Sequence, residues 1–224
     1  MRATSALLLL LLSCLSGCAY QVPLSNNFLP SSSITGSKLP IKVGLFIEEG
    51  TKNFKEKIRP SGGGQVHTFG FPVGEELSKI ILSASQVCFE KVEVVDGLPT
   101  FPSKDFDAYL IVKDLKADIQ IRYANTGTAI AFGLIGQMLN PIHSTESSNL
   151  SVAARMVDAN SNDLYSSTVV GKGSSDVPSS MGGIKPEEFS GGVNNAMQDL
   201  AGNLMTEILR SQQIKDYAAK ASTR

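Results

Sequence analysis

Apolar residues along the chain fall into short β-branched runs and two long periodic stretches, and these predict its elements. Ile41-Lys42-Val43-Gly44-Leu45-Phe46-Ile47 follows Pro40 and stops at Glu48-Glu49-Gly50, which predicts a strand. Val66, Thr68, Phe69 and Phe71 mark a second short strand within 65–71, closed by Pro72 and Gly74. From Glu75 to Val87 the positions Leu77, Ile80, Ile81, Ala84 and Val87 share one helical face. Glu75 and Glu76 sit in its first turn, where the positive end of the helix dipole favours them, and Lys79 follows Glu75 at the pairing interval. Val92 to Val95 predicts a strand ended by Asp96-Gly97, and Ala108 to Val112 another that can run on through Ile119 and Ile121 to Tyr123.

The second half carries the clearest local pattern. Leu150–Val157 and Leu164–Gly171 flank Asp158-Ala159-Asn160-Ser161-Asn162-Asp163, which predicts a hairpin whose tip is set by turn-forming Asp and Asn. A Gly, Ser and Pro loop over 172–189 leads to a helix over 191–212, with Val193, Met197, Leu200, Leu204 and Ile208 on one face. Ser190 is its expected N-cap, Glu187 and Glu188 lie near its positive end, and Met197 and Met205 fill the core. Strand, strand, helix, strands, hairpin and helix in that order predict a single α+β domain over 41–217. Its mostly antiparallel sheet is covered on one face by two helices, and 218–224 forms a C-terminal tail.

Composition narrows the partners. Twenty Lys and Arg against 21 Asp and Glu give a net charge of −1 with no basic cluster, so no nucleic-acid partner is expected. Residues 18–40 are rich in Ser, Asn and Pro, and predict a flexible tether with an end-to-end distance of roughly 25 Å. Thr126 to Asn140 carries no charge, too apolar for an ordinary loop and too short for the ~20 residues of a membrane-spanning helix. Three readings stay open for it. It is a connection packed on the domain, a partner or membrane contact through Ile130, Phe132, Leu134, Ile135, Met138 and Leu139, or a pair of crossing strands in an oligomeric barrel.

Signatures of catalysis are missing from the sequence. His67 and His143 have no Cys, Asp or Glu at metal-ligand spacing, and no Gly-x-Ser-x-Gly, His-Glu-x-x-His or phosphate-loop pattern occurs. Gly62-Gly63-Gly64 reads as a turn rather than an anion cradle. The pairs Glu48-Glu49 and Glu187-Glu188 could serve acid and base chemistry only if the fold joined them. The expectation is a protein with no catalytic residue, no metal and no cofactor.

The N-terminus gives an address. Arg2 is a positive start, and Leu7 to Leu15 is an apolar stretch too short to span a bilayer, which together predict a secretion signal over 1–17. Leu15-Ser16-Gly17-Cys18 then resembles the lipobox of bacterial lipoproteins. That resemblance implies cleavage between Gly17 and Cys18, a diacylglyceryl group on the Cys18 sulfur and a palmitoyl group on its new amine. Ala19, rather than Asp, in the next position implies sorting to the outer membrane on the periplasmic side. Two or three chains make a practically permanent anchor, since one alone holds only reversibly. Removal of Cys14 with the signal leaves Cys18 and Cys88, so no internal disulfide forms. Cys88, between Val87 and Phe89, reads as a buried thiol, with a reactive or intermolecularly paired thiol as the other reading.

With the strand 41–47, the hairpin Val157 to Tyr165 and the closing helix with its Gln213-Ile214-Lys215-Asp216-Tyr217 tail, the chain resembles small periplasmic lipoproteins of the YajG type. It resembles secretion lipoproteins of the CsgG type more distantly, and lacks their two clear amphipathic hairpins. The resemblance implies a non-enzymatic lipoprotein bound to the membrane through its covalent lipid, acting as accessory or scaffold to an envelope protein partner. The alternative is an oligomeric subunit of a secretion or transport apparatus that inserts 124–142 at the membrane.

Overall fold

The structure, a computed structural model, describes residues 19–29, 38–61, 67–123, 143–178 and 185–221. In chain order it contains β1 (Ala19–Gln21), β2 (Leu39–Ile47), α1 (Glu49–Lys52), β3 (Glu56–Ile58), β4 (Thr68–Phe71), α2 (Val73–Cys88), β5 (Phe89–Val94), β6 (Ala108–Arg122), β7 (His143–Asp158) and β8 (Asp163–Pro178). A 3-10 turn (Pro186–Phe189), α3 (Gly191–Arg210) and α4 (Gln212–Ala221) complete it. The main sheet has the order β5-β2-β6-β7-β8, and a small sheet the order β1-β4-β3.

Each long strand alternates faces, so one side of the main sheet is apolar. Val43, Leu45, Leu110, Val112, Leu150, Val152 and Met156 are fully buried beneath α2 and α3. The helices answer with Leu77, Ile80 and Ile81 on α2 and Val193, Met197, Leu200, Leu204 and Ile208 on α3, the faces their periodicity predicts. Met205 is buried there too. The result is a single α+β domain. Its longest ladders, β6 with β7 and β7 with β8, are antiparallel, whereas β2 runs parallel to both β5 and β6. Parallel neighbours need a crossover, supplied between β2 and β5 by the segment that carries α2.

Two devices join α3 to the sheet. Gly171 and Gly173 let the helix backbone approach β8 so closely that a Cβ at 173 would stand 2.1 Å from the Gly192 carbonyl oxygen. Between them, the free edge of β8 is met by a stripe of helix side chains one turn apart. Asn195 Nδ2 donates to the Ser174 carbonyl (3.0 Å), the Lys172 N–H donates to Asp199 (2.9 Å), and Asn203 Nδ2 donates to the Val170 carbonyl (3.0 Å). An edge strand otherwise offers these groups to another chain. On the opposite face Phe101 and Phe106 pack around Tyr109, whose ring lies over Gly44.

Several boundaries differ from those the sequence predicts. The hairpin is far longer than 150–171, because β7 and β8 extend over Ser144–Asn149 and Lys172–Val177, where polar residues lie on both faces. Helix structure continues through α4, so Ala218, placed in the tail, is buried. The tether expectation fails for 19–29. β1 pairs in parallel with β4, Val22 is fully buried, and the backbone of Ser25 and Leu29 donates to Asn194 Oδ1 (2.9 Å) and Gln198 Oε1 (3.0 Å) on α3. A Ser, Asn and Pro composition shows that the segment lacks a core of its own. It does not show that a neighbour lacks partners for its backbone.

Candidate functional site

One end of the domain gathers the start of the described chain and the rims of both sheets. Arg122, Thr145 and Asp176 lie in register across β6, β7 and β8 at that end. Ser61 bridges to Arg122, its N–H donating to the Ile121 carbonyl (2.9 Å) and its carbonyl accepting from the Tyr123 N–H (3.0 Å). Thr68 opens β4, and Ala19 pairs with it. A seam of rings fills the gap. Tyr20 meets His67 edge-on (5.2 Å) and stacks on Phe69 (5.9 Å), Phe69 meets Phe189 (4.9 Å), and Tyr123 meets Phe189 edge-on (6.0 Å).

Beneath the seam a carboxylate is sealed inside. Glu146 points inward from β7 and is 1% exposed. Its Oε2 accepts the Gly192 N–H (2.8 Å) and the Ser175 hydroxyl (3.0 Å), while Oε1 accepts the Val193 N–H (3.0 Å). The side chain thus satisfies two of the orphan donors that begin α3. Glycine at 192 leaves room for this carboxylate, because a Cβ there would come within 2.9 Å of the Glu146 carboxyl carbon and push it from its donors. Burial pushes this carboxyl above its ordinary value, against the opposing pull of its three donors. Ser190, the expected N-cap, instead turns back and donates its hydroxyl to the Glu187 carbonyl (2.8 Å).

At the opposite end lie the hairpin tip and α4. Asp158 Oδ1 accepts the N–H groups of Asn160 and Asn162, both at 2.8 Å, and Oδ2 accepts Asn162 Nδ2 (2.8 Å), the turn chemistry the sequence predicts. Ala159 donates to the Asp107 carbonyl (3.1 Å), which also accepts the Tyr217 hydroxyl from α4. Leu39, where β2 begins, pairs with Phe89 near this end. On the face away from the helices a groove of about 570 Å³ has Phe46, Leu98 and Ile111 as apolar walls and Glu48, Lys113 and Arg155 as charged rims. Asp163 occupies the Arg155 guanidinium.

The remaining candidates from the sequence are scattered. His67 lies in the loop before β4, against Tyr20. Glu48 accepts the Asp114 N–H (3.4 Å) beside a bulge of β6, and Glu49 is bonded by Asn53, whereas Glu188 pairs with Lys185 (3.7 Å) ahead of α3. The fold therefore does not join the two acidic pairs. Cys88 is buried at 2% exposure, and burial pushes its thiol up to about 11 against a weaker opposing pull from Lys38. Gly17, Cys18, Gly62–Gly64, Ile130, Phe132, Leu134, Ile135, Met138 and Leu139 lie outside the described residues, as does the side chain of His143. Among the described residues no group of three or more His, Cys, Asp or Glu could hold a metal, and no helix is long and apolar enough to cross a membrane.

Sequence reasoning missed Glu146 and the docking of Tyr20 and Val22. Ser144-Thr145-Glu146-Ser147-Ser148 has no apolar period to expose it as a strand. The available signals were Gly171-Lys172-Gly173, alternating small and long residues as a strand pressed against a helix does, and Tyr20, Val22 and Leu24 at strand spacing.

No protein-family profile matches the chain, and no curated protein matches it. Among solved structures, it is similar to a neuraminyllactose-binding hemagglutinin homolog from Helicobacter pylori, at 11% identity over 91% of this chain and 100% of that one, with a TM-score of 0.40.

Proposed function

We propose that the protein is a lipid-anchored envelope lipoprotein of the outer membrane, facing the periplasm. Cys18 carries the lipid, and the domain acts without catalysis as an accessory or scaffold for another envelope component. The observation that carries this reading is Leu15-Ser16-Gly17-Cys18 directly after the apolar stretch. The groove beside Phe46 and Ile111 supports a binding role, since its apolar walls suit a partner surface. The test is labelling of cells with a palmitate analogue, followed by membrane fractionation. The wild type is expected to take up label and sediment with outer membranes, and Cys18→Ser to lose the label. An unlabelled wild type would sink the reading. Photo-crosslinking from Lys113 and Thr168 at the groove, with the partner identified, tests the scaffold role, and the absence of any specific adduct counts against it.

One observation favours the second reading, an oligomeric secretion or transport subunit that inserts 124–142. Tyr123 and His143, which flank that segment, leave the sheet at the same end as Ala19. Anchor and segment would then face the same membrane. Detergent-extracted protein should run as a large oligomer on this reading, and a clean monomer would remove it.

A further inference from the structure

We infer that residues 19–29 are a docking strap that fixes how the domain stands on the membrane. The strap presents the Ala19 end of the sheet to the lipid headgroups and points the Asp158–Asp163 tip and α4 away. This rests on the lipid-anchor reading, because the membrane is reached through Cys18.

Three observations carry it. The first is slack. Consecutive Cα atoms are about 3.8 Å apart, so a lipidated residue 18 lies within that reach of Ala19, which is already paired with Thr68. A free coil over 18–40 would have let the domain drift roughly 25 Å from its anchor and turn at will. The second is the hold. Beyond the β1 pairing, the Val22 N–H donates to the Gly70 carbonyl (2.9 Å), its side chain is fully buried, and Tyr20 packs between His67 and Phe69. Ser25 and Leu29 then bond to Asn194 and Gln198, and Gln198 Nε2 donates back to the Asn27 carbonyl.

The third is the path. Asn194 and Gln198 are successive turns of α3, which starts over Glu146 at the Ala19 end and passes Tyr165, bonded to Glu207, on its way to the other end. Leu39 enters β2 beside Phe89 at that other end. Residues 19–29 of the stretch that composition marks as a spacer therefore lie along the domain, and cannot be paid out while the strap is docked. The surface so presented suits a headgroup layer. Tyr20 and His67 are half-buried amphipathic rings, the kind that settles at a membrane interface, and exposed Arg122 and Lys185 stand among exposed Asp176 and Glu187.

β7 has 16 residues at about 3.3 Å each, so the two ends are about 50 Å apart. The test uses the full lipidated protein in vesicles of phosphatidylethanolamine and phosphatidylglycerol that carry an acceptor-labelled headgroup. A donor dye is placed on Arg122→Cys or on Asn160→Cys, with Cys18 blocked by its lipid and Cys88 buried. Energy transfer several-fold higher from position 122 than from 160 is the expected result, and equal transfer from both would overturn the inference while leaving the anchor intact. Releasing the strap with Val22→Asp, or with Asn194→Ala and Gln198→Ala together if the first variant fails to fold, should bring the two values together. A difference that survives in a folded released variant also overturns it. Protein that stays on vesicles equally well as Cys18→Ser would instead sink the lipid-anchor reading.

Discussion

Replacing Glu146 tests whether a sealed carboxylate holds the second half of the domain together. Glu146→Ala leaves the Gly192 and Val193 N–H groups without their acceptors in a site where the side chain is 1% exposed. An orphaned buried donor costs about 1–3 kcal/mol, and two of them, less the relief of no longer burying a carboxyl, give a loss of about 2–5 kcal/mol. That is a large share of the ~5–15 kcal/mol typical of a domain, and lowers Tm by on the order of 10 °C. Glu146→Gln keeps one acceptor and turns an amide donor toward the other N–H, so about 1–3 kcal/mol is expected. pH separates charge from shape. Because burial raises this carboxyl, the folded protein binds a proton more tightly than the unfolded chain does. Its contribution is complete below the unfolded value and is lost as pH rises through the folded one. The advantage of wild type over Glu146→Gln, read by urea unfolding at several pH values, should therefore shrink as pH rises across that window. An advantage that grows with pH, or a Glu146→Ala protein within 1 kcal/mol of wild type, refutes this account.

Other consequences are local. Gly173→Ala places a Cβ 2.1 Å from one backbone atom of α3 and 2.4 Å from another, and should cost about 1–3 kcal/mol in urea unfolding; Gly202→Ala, with nothing within 4 Å, should instead stabilise by about 0.4–1 kcal/mol. Cys88, buried and with its thiol pushed up to about 11, should resist alkylation at pH 8 until denaturant is added, and fast labelling of the folded protein would contradict its placement. Asp158→Ala removes three hydrogen bonds from the hairpin tip and should cost about 1–3 kcal/mol. Burial raises the Asp158 carboxyl, but its bonds from Asn162 and Asn160 outweigh that and hold it below its ordinary value. The stability it adds is present above the unfolded value and lost as pH falls through the folded one, a loss that acid titration of Asp158→Ala should not show.

Much of the fold was legible because burial leaves a period in the sequence. The α2 and α3 faces, the β2 run and the Asp158–Asp163 tip each follow from residues within a few positions of one another. The candidate site was hardly legible, because its pieces are polar or small and their partners distant. Ser144, Glu146 and Ser148 are buried polar residues on the inner face of β7, where an apolar pattern would have announced a strand. In residues 19–29 Tyr20, Val22 and Leu24 alternate at strand spacing, but Pro23 and the Ser25-Asn26-Asn27 run break the pattern before it reaches Phe28, and the segment reads as a spacer.

The sequence by itself determined which faces are apolar and where the hairpin turns, since each depends on side-chain chemistry read over a few neighbouring positions. Only the tertiary structure decided that β2 runs parallel to its neighbours, that Glu146 caps α3, and that residues 19–29 of the supposed spacer lie docked along the domain. Those outcomes depend on backbone donors and acceptors that every residue carries alike, matched across long stretches of chain: Val22 with Gly70, Glu146 with Gly192, Leu29 with Gln198. Residue type near one partner does not reveal where the other will be.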